Sequence, residues 1–207
     1  MLQAFKTMLE LQDAMNKKVY PDWSDRGLEW YRAIWIECGE LVEHYGYKWW
    51  KKQEPNIQQV QMEAIDIWHF GLSSFFKVNE SLDEIAQRMC EELEGYDYDT
   101  PRLGVLELTE TVAAHALNTH SFSLVKFWDL MHAIGLNFDE LYRQYVGKNV
   151  LNRFRQDYGY KSGTYIKEWQ GREDNEHLVE ILAELDCYNS QFIEQLYHAL
   201  KVRYEQN

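Results

Sequence analysis

Proline placement constrains this chain more than any other feature. Proline fixes φ and lacks a backbone N–H, so it breaks helix interiors and is tolerated only at their borders. The 207 residues hold three, Pro21, Pro55 and Pro101, and each falls between stretches where apolar residues recur every three or four positions. No alternating run of strand length stands out, and no repeat or low-complexity segment is visible. The expected fold class is therefore all-α, a helical bundle.

The first periodic stretch, Leu2 to Lys18, carries Leu2, Phe5, Met8, Leu9, Leu11 and Met15 at mostly three- and four-residue steps. Further helices are expected over Arg26 to Tyr45, Asn56 to Lys77, from Ser81 onward, Leu103 to Leu117, Leu124 to Ile134, and Asn137 to about Tyr158. Ser81 with Glu84, and Asn137 with Glu140, have the spacing by which a side chain caps a first turn. Gly159 is a suitable stop. The segment from Gly159 to Asn175, GYKSGTYIKEWQGREDN, mixes glycines, aromatics and both charges, as an ordered loop over a site does. A last helix is expected from Glu176 to Tyr204. Residues 1–207 are read as one domain, long enough for a sizeable core. Trp30, Trp35, Trp68 and Trp128 are expected in that core, because aromatics at helical spacing usually face a neighbouring helix.

A formal net charge of −13 argues against a nucleic-acid partner, since phosphate contacts need clustered Lys and Arg. Cys38, Cys90 and Cys187 are too few and too scattered for a disulfide framework or a zinc knuckle. The N-terminus has no signal-like apolar core, and no stretch of eighteen apolar residues occurs, so neither secretion nor a membrane partner is expected. A cytoplasmic protein is the expectation.

The chemistry sits in two acidic pairs. Glu37 and Glu40 lie in AIWIECGELV, and Glu63 and Asp66 in MEAIDIWHFGL. Residues three apart share a helix face, and a carboxylate in an apolar run is costly unless a cation compensates it. Magnesium takes oxygen ligands and keeps room for water and substrate phosphate. His44 and His69 lie within a turn of these acids, but imidazole suits hard magnesium poorly, so both are read as hydrogen-bonded core residues.

Glu37-x-x-Glu40, a gap of 22 residues, then Glu63-x-x-Asp66 resembles the signature of the all-α NTP pyrophosphatase superfamily, which includes MazG-type enzymes and dimeric dUTP diphosphatases. Tyr47-Lys48-Trp49-Trp50-Lys51 is similar to that superfamily's Lys-aromatic-Trp stretch. The segment Gly147-Lys148-Asn149-x-x-Asn152-Arg153-x-Arg155 through Gly159-Tyr160 to Tyr165 resembles the C-terminal motif of dimeric dUTP diphosphatases, which is much less widely shared. Lys148, Asn152 and Arg155 share one helix face; by itself this could be a basic turn complementing the helix dipole.

The resemblance implies an all-α NTP pyrophosphatase fold, a homodimer, and hydrolysis of dUTP to dUMP and pyrophosphate with two or three magnesium ions held by Glu37, Glu40, Glu63 and Asp66. It implies phosphate binding by Lys48, Lys148, Asn152, Arg155 and Lys167, and base or sugar contacts from Gln12, Asn16, Trp50, Tyr160 and Asn175. Gln12 and Asn16 are one turn apart and could read a pyrimidine edge or belong to a solvated face. Three other functions stay open at this point: the same chemistry on another nucleotide such as dCTP, a di-iron carboxylate bundle, and a non-enzymatic helical scaffold.

Overall fold

The computed structural model describes residues 1–77, 79–96, 103–187 and 189–206. Nine α-helices make up almost all of the regular structure among them: α1 Leu2–Val19, α2 Trp30–Tyr45, α3 Ile57–Phe75, α4 Leu82–Glu92, α5 Val105–Thr119, α6 Leu124–Ala133, α7 Phe138–Asp157, α8 Asp174–Glu184 and α9 Phe192–Glu205. Strands β1 Glu168–Trp169 and β2 Arg172–Glu173 form a small antiparallel hairpin. Among the described residues, no helix is long and apolar enough to cross a membrane.

The helix starts follow their capping residues. The Ser81 hydroxyl accepts from the Glu84 N–H at 3.3 Å, while the Glu84 carboxylate accepts from the Ser81 N–H at 2.8 Å. Asn137 Oδ1 accepts from the Glu140 N–H at 2.9 Å, and α7 stops just before Gly159. Packing then sets the layers: α2 lies along α3 and α5, α1 bridges α4 and α7, and α7 carries α8 and α9 on its far side. One hydrophobic cluster runs from Phe5 on α1 to Leu200 on α9. Its centre is aromatic, with Trp68 stacked on Phe127 at 5.3 Å and Phe5 6.1 Å from both Trp68 and Trp128. A second aromatic knot, Phe154, Tyr165, Trp169 and Tyr204, ties the hairpin and α9 to the end of α7.

Four expectations need correction or qualification. The second helix begins at Trp30 and not near Arg26, because Gly27 takes φ +58° and ends a short 3-10 turn over Trp23–Asp25. The expected helix from Glu176 to Tyr204 is two helices. Asp186, Asn189 and Ser190 fall between them, and Asn189 Oδ1 accepts from the Gln191 N–H at 2.8 Å, the local bonding by which short polar side chains compete with a helix. Trp35 is 40% exposed and not in the core, since the buried face of α2 is Ile34, Cys38 and Leu41. Pro101 lies outside the described residues. The hairpin gave no alternating signal because its strands are two residues each; its Gln170–Gly171 turn places both residues at positive φ, as a type I′ hairpin turn requires.

Candidate active site

The close packing of α2 along α3 turns the acidic pairs toward each other. Ligand oxygens of Glu37, Glu63 and Asp66 all lie within 4.8 Å of one another. Burial pushes the Glu37 carboxyl up to about 8, helped by the negative charges of Asp66, Glu40 and Glu63. Burial likewise raises Glu63 to about 7, with Asp66 adding to it and Lys148 opposing. Such carboxyls lack positive charge, and an oxygen-only donor set of this kind fits a hard divalent cation. Glu40 stays exposed on the rim: its charge reaches Glu37 and Glu63, but its oxygens are outside the close trio. His44 Nε2 lies 3.4 Å from Glu63 Oε1.

Among the described residues, one internal cation reaches the trio. Lys148, on α7 and only 8% exposed, donates from Nζ to Asp66 Oδ2 at 3.0 Å. Beside this pair opens a cavity of about 570 Å³ whose walls include Asp66, Asn152, Gln12, Asn16 and His69, with Trp30 and Phe70 as an aromatic side. The cavity and the acid trio share Asp66.

Gln12 and Asn16 do not belong to a solvated face; both are buried in a polar network. The Ser73 hydroxyl donates to the His69 carbonyl at 3.1 Å and accepts from Gln12 Nε2 at 2.9 Å and Asn16 Nδ2 at 3.0 Å. Gln12 Nε2 also donates to Asn16 Oδ1 at 3.1 Å. Gln12 Oε1 lies 3.0 Å from His69 Nδ1 and 2.9 Å from the Tyr145 hydroxyl. Burial holds His69 down at about 4, so its ring is neutral at ordinary pH.

The basic face of α7 divides. Lys148 meets the acids and Asn152 borders the cavity, whereas Arg155 points toward α8. Its Nε and Nη2 each donate to the wholly buried Asp174 carboxylate at 2.8 Å, and Nη1 donates to Asn152 Oδ1 at 3.2 Å. Asn175 Oδ1 accepts from Arg155 Nη2 at 3.4 Å, and the exposed Tyr160 ring lies 6.0 Å from the guanidinium carbon. Lys167 pairs with Glu173 at 3.2 Å in the hairpin, and Lys48 pairs with Glu43. Trp50 packs edge-on against Tyr47 and Trp49. None of Lys48, Trp50, Arg155, Tyr160, Lys167 and Asn175 lines the cavity.

Three participants carried no sequence signal of their own: Ser73, Tyr145 and Asp174. His69 did carry one, sitting one turn beyond Asp66, but its neighbour in space is Gln12, 57 residues away.

The sequence model for dUTPase matches residues 4–160. The chain belongs to the all-α dimeric dUTPase family. No curated protein matches it. The dUTPase match takes in α1 to α7, with both acidic pairs, Gln12, Asn16, Lys148 and Arg155, and its last residue is Tyr160. Lys167, Asp174 and Asn175 lie beyond it. Family membership supports dUTP diphosphatase activity, a nucleotide substrate and dependence on a metal, and the trio Glu37, Glu63 and Asp66 could hold that metal.

Proposed function

We propose that this chain hydrolyses dUTP to dUMP and pyrophosphate, with two or three magnesium ions held by Glu37, Glu63 and Asp66 and by Glu40 beside them. The observation that carries the reading is a trio of carboxylates within 4.8 Å, opening through Asp66 onto a cavity walled by amides and aromatics. Magnesium, when bound, polarises the triphosphate and acidifies an attacking water.

The chain's own groups supply the rest. Glu37, once ionised, orients that water by accepting its hydrogen bond. Lys148, bonded to Asp66, and Asn152, on the cavity wall, receive the phosphates as charge and hydrogen-bond donor. Lys48, Arg155 and Lys167 contribute the remaining phosphate contacts, and Gln12, Asn16, Trp50, Tyr160 and Asn175 hold the base and sugar. The enzyme works as one domain in a cytoplasmic homodimer. Trp49 at 89% exposure, with Trp50 and Tyr47 against it, gives a second copy an aromatic surface to cover, and the unpaired cysteines suit a reducing compartment.

A pyrophosphate-release panel over the common dNTPs, with and without magnesium, tests the substrate and the metal together. Turnover should favour dUTP and vanish in chelator, and Glu37→Gln or Glu63→Gln should abolish it. Preference for dCTP would move the substrate, and near-normal turnover in either variant would remove the acid trio from catalysis. Light scattering of the eluted protein should give twice the chain mass.

A further inference from the structure

Arg155 has little left to offer a ligand. Its Nε and Nη2 donate to Asp174 at 2.8 Å, Nη2 also faces Asn175 Oδ1 at 3.4 Å, and Nη1 donates to Asn152 Oδ1 at 3.2 Å. Of the five N–H groups of a guanidinium, one is without a partner among the described residues. Asp174 is more enclosed still. It is wholly buried, its Oδ2 also accepts from the Tyr165 hydroxyl at 2.8 Å, and its backbone N–H donates to the Lys167 carbonyl at 3.0 Å. Such a carboxylate touches no substrate, yet its two bonds to the guanidinium fix the plane of the fork.

The consequence falls on Asn152. An arginine only donates, so the Asn152 atom that faces Nη1 must be its oxygen. The NH2 then lies on the other side of the amide and bonds to no described residue, while the side chain lines the cavity that Asp66 also lines. The last torsion of an asparagine is broad and roughly two-fold, so without Arg155 either end of the amide could face the cavity. Phosphate oxygens accept hydrogen bonds, and only the NH2 end can donate them.

We infer that Asp174 is a positioning residue: through Arg155 it holds the Asn152 amide with its NH2 turned toward the substrate's phosphates. This rests on the dUTP reading and replaces the direct phosphate contact given there to Arg155. Asp174 lies on α8, beyond the last residue of the dUTPase match, so the segment after Tyr160 reaches the reaction without touching it.

Two measurements on the full chain test it, both with magnesium and the uncleaved analogue α,β-imido-dUTP. In nitrogen-15-labelled protein the analogue should shift the Asn152 NH2 resonances and leave the Arg155 Nε–H resonance in place. In calorimetric titrations Asp174→Asn and Asn152→Ala should each bind the analogue roughly 10-fold more weakly than wild type. The loss from Asp174→Asn should vanish in the Asn152→Ala background, where the group it steers is gone. A carboxylate that served folding alone would weaken binding equally with or without Asn152, or not at all, and either result overturns the inference. So does a shift of Arg155 Nε–H, or an Asn152 NH2 that the analogue leaves unmoved. Should Asp174→Asn not fold, Arg155→Lys takes its place in the same cycle, keeping the charge and losing the fork. A wild type that binds α,β-imido-dUTP no better than its deoxycytidine counterpart overturns the dUTP reading instead.

Discussion

If the acid trio takes magnesium as proposed, the incoming ion must displace the protons that burial keeps there. With Glu37 raised to about 8 and Glu63 to about 7, about nine-tenths of the first and half of the second are protonated at pH 7. A metal ligand must be deprotonated, so saturating the site at pH 7 should release about 1.4 protons, falling to about 0.1 at pH 9. Apparent affinity should accordingly climb with pH and level off above about 8. Calorimetric titration of the nucleotide-free protein with magnesium, in buffers of different ionisation enthalpy, reads the proton count as the slope of observed against buffer enthalpy. Glu37→Gln should lower the slope at pH 7 to about half a proton, the share left to Glu63. Saturable binding with a slope near zero at pH 7 would mean that the carboxyls are already ionised. The argument from burial and mutual repulsion would then be wrong.

Three further outcomes follow. The folded chain holds protons on Glu37 and Glu63 that the unfolded chain has released between about 4.5 and 8, so the metal-free protein should lose stability as pH rises through that window; thermal unfolding in chelator from pH 5 to 8.5 checks the sign, and magnesium at 100 times its Kd should restore about 2.7 kcal/mol. Gly71→Ala would place a Cβ 2.7 Å from the Phe122 ring and should cost roughly 1–3 kcal/mol in urea unfolding, unless the ring can move aside. Asp174→Asn would leave the half-enclosed Arg155 charge without its carboxylate; a loss of roughly 3–5 kcal/mol is expected, and an unchanged urea midpoint would show that Asn152 and solvent suffice to hold the guanidinium.

What could be read from the sequence was what repeats locally. The capping pairs Ser81 with Glu84 and Asn137 with Glu140 gave helix starts because both partners lie in one turn. Glu37, Glu63 and Asp66 were legible for the same reason, as charged residues on otherwise apolar helix faces. The break between α8 and α9 was hidden because no glycine or proline marks it, only Asp186, Asn189 and Ser190. Trp35 misled because the identity of an aromatic says nothing about which helix face its neighbours cover. The division of the basic face was also out of reach: Lys148, Asn152 and Arg155 share spacing, and only the folded chain reveals that Arg155 is met by a carboxylate 19 residues later. His69 was read as a hydrogen-bonded core residue and is one, but its partner Gln12 sits on α1, 57 residues away, where no local spacing points to it.

The bond between Arg155 and Asp174 spans the border of the family match, with the arginine inside and the aspartate outside. A fragment ending at Tyr160 would hold every matched residue after Met1-Leu2-Gln3, yet lose the carboxylate that holds Arg155 and strip Phe154 of Trp169 and Tyr204. The segment after the matched part thus serves as a plug over the end of α7, and expression of any shortened form should be judged by whether that plug is kept.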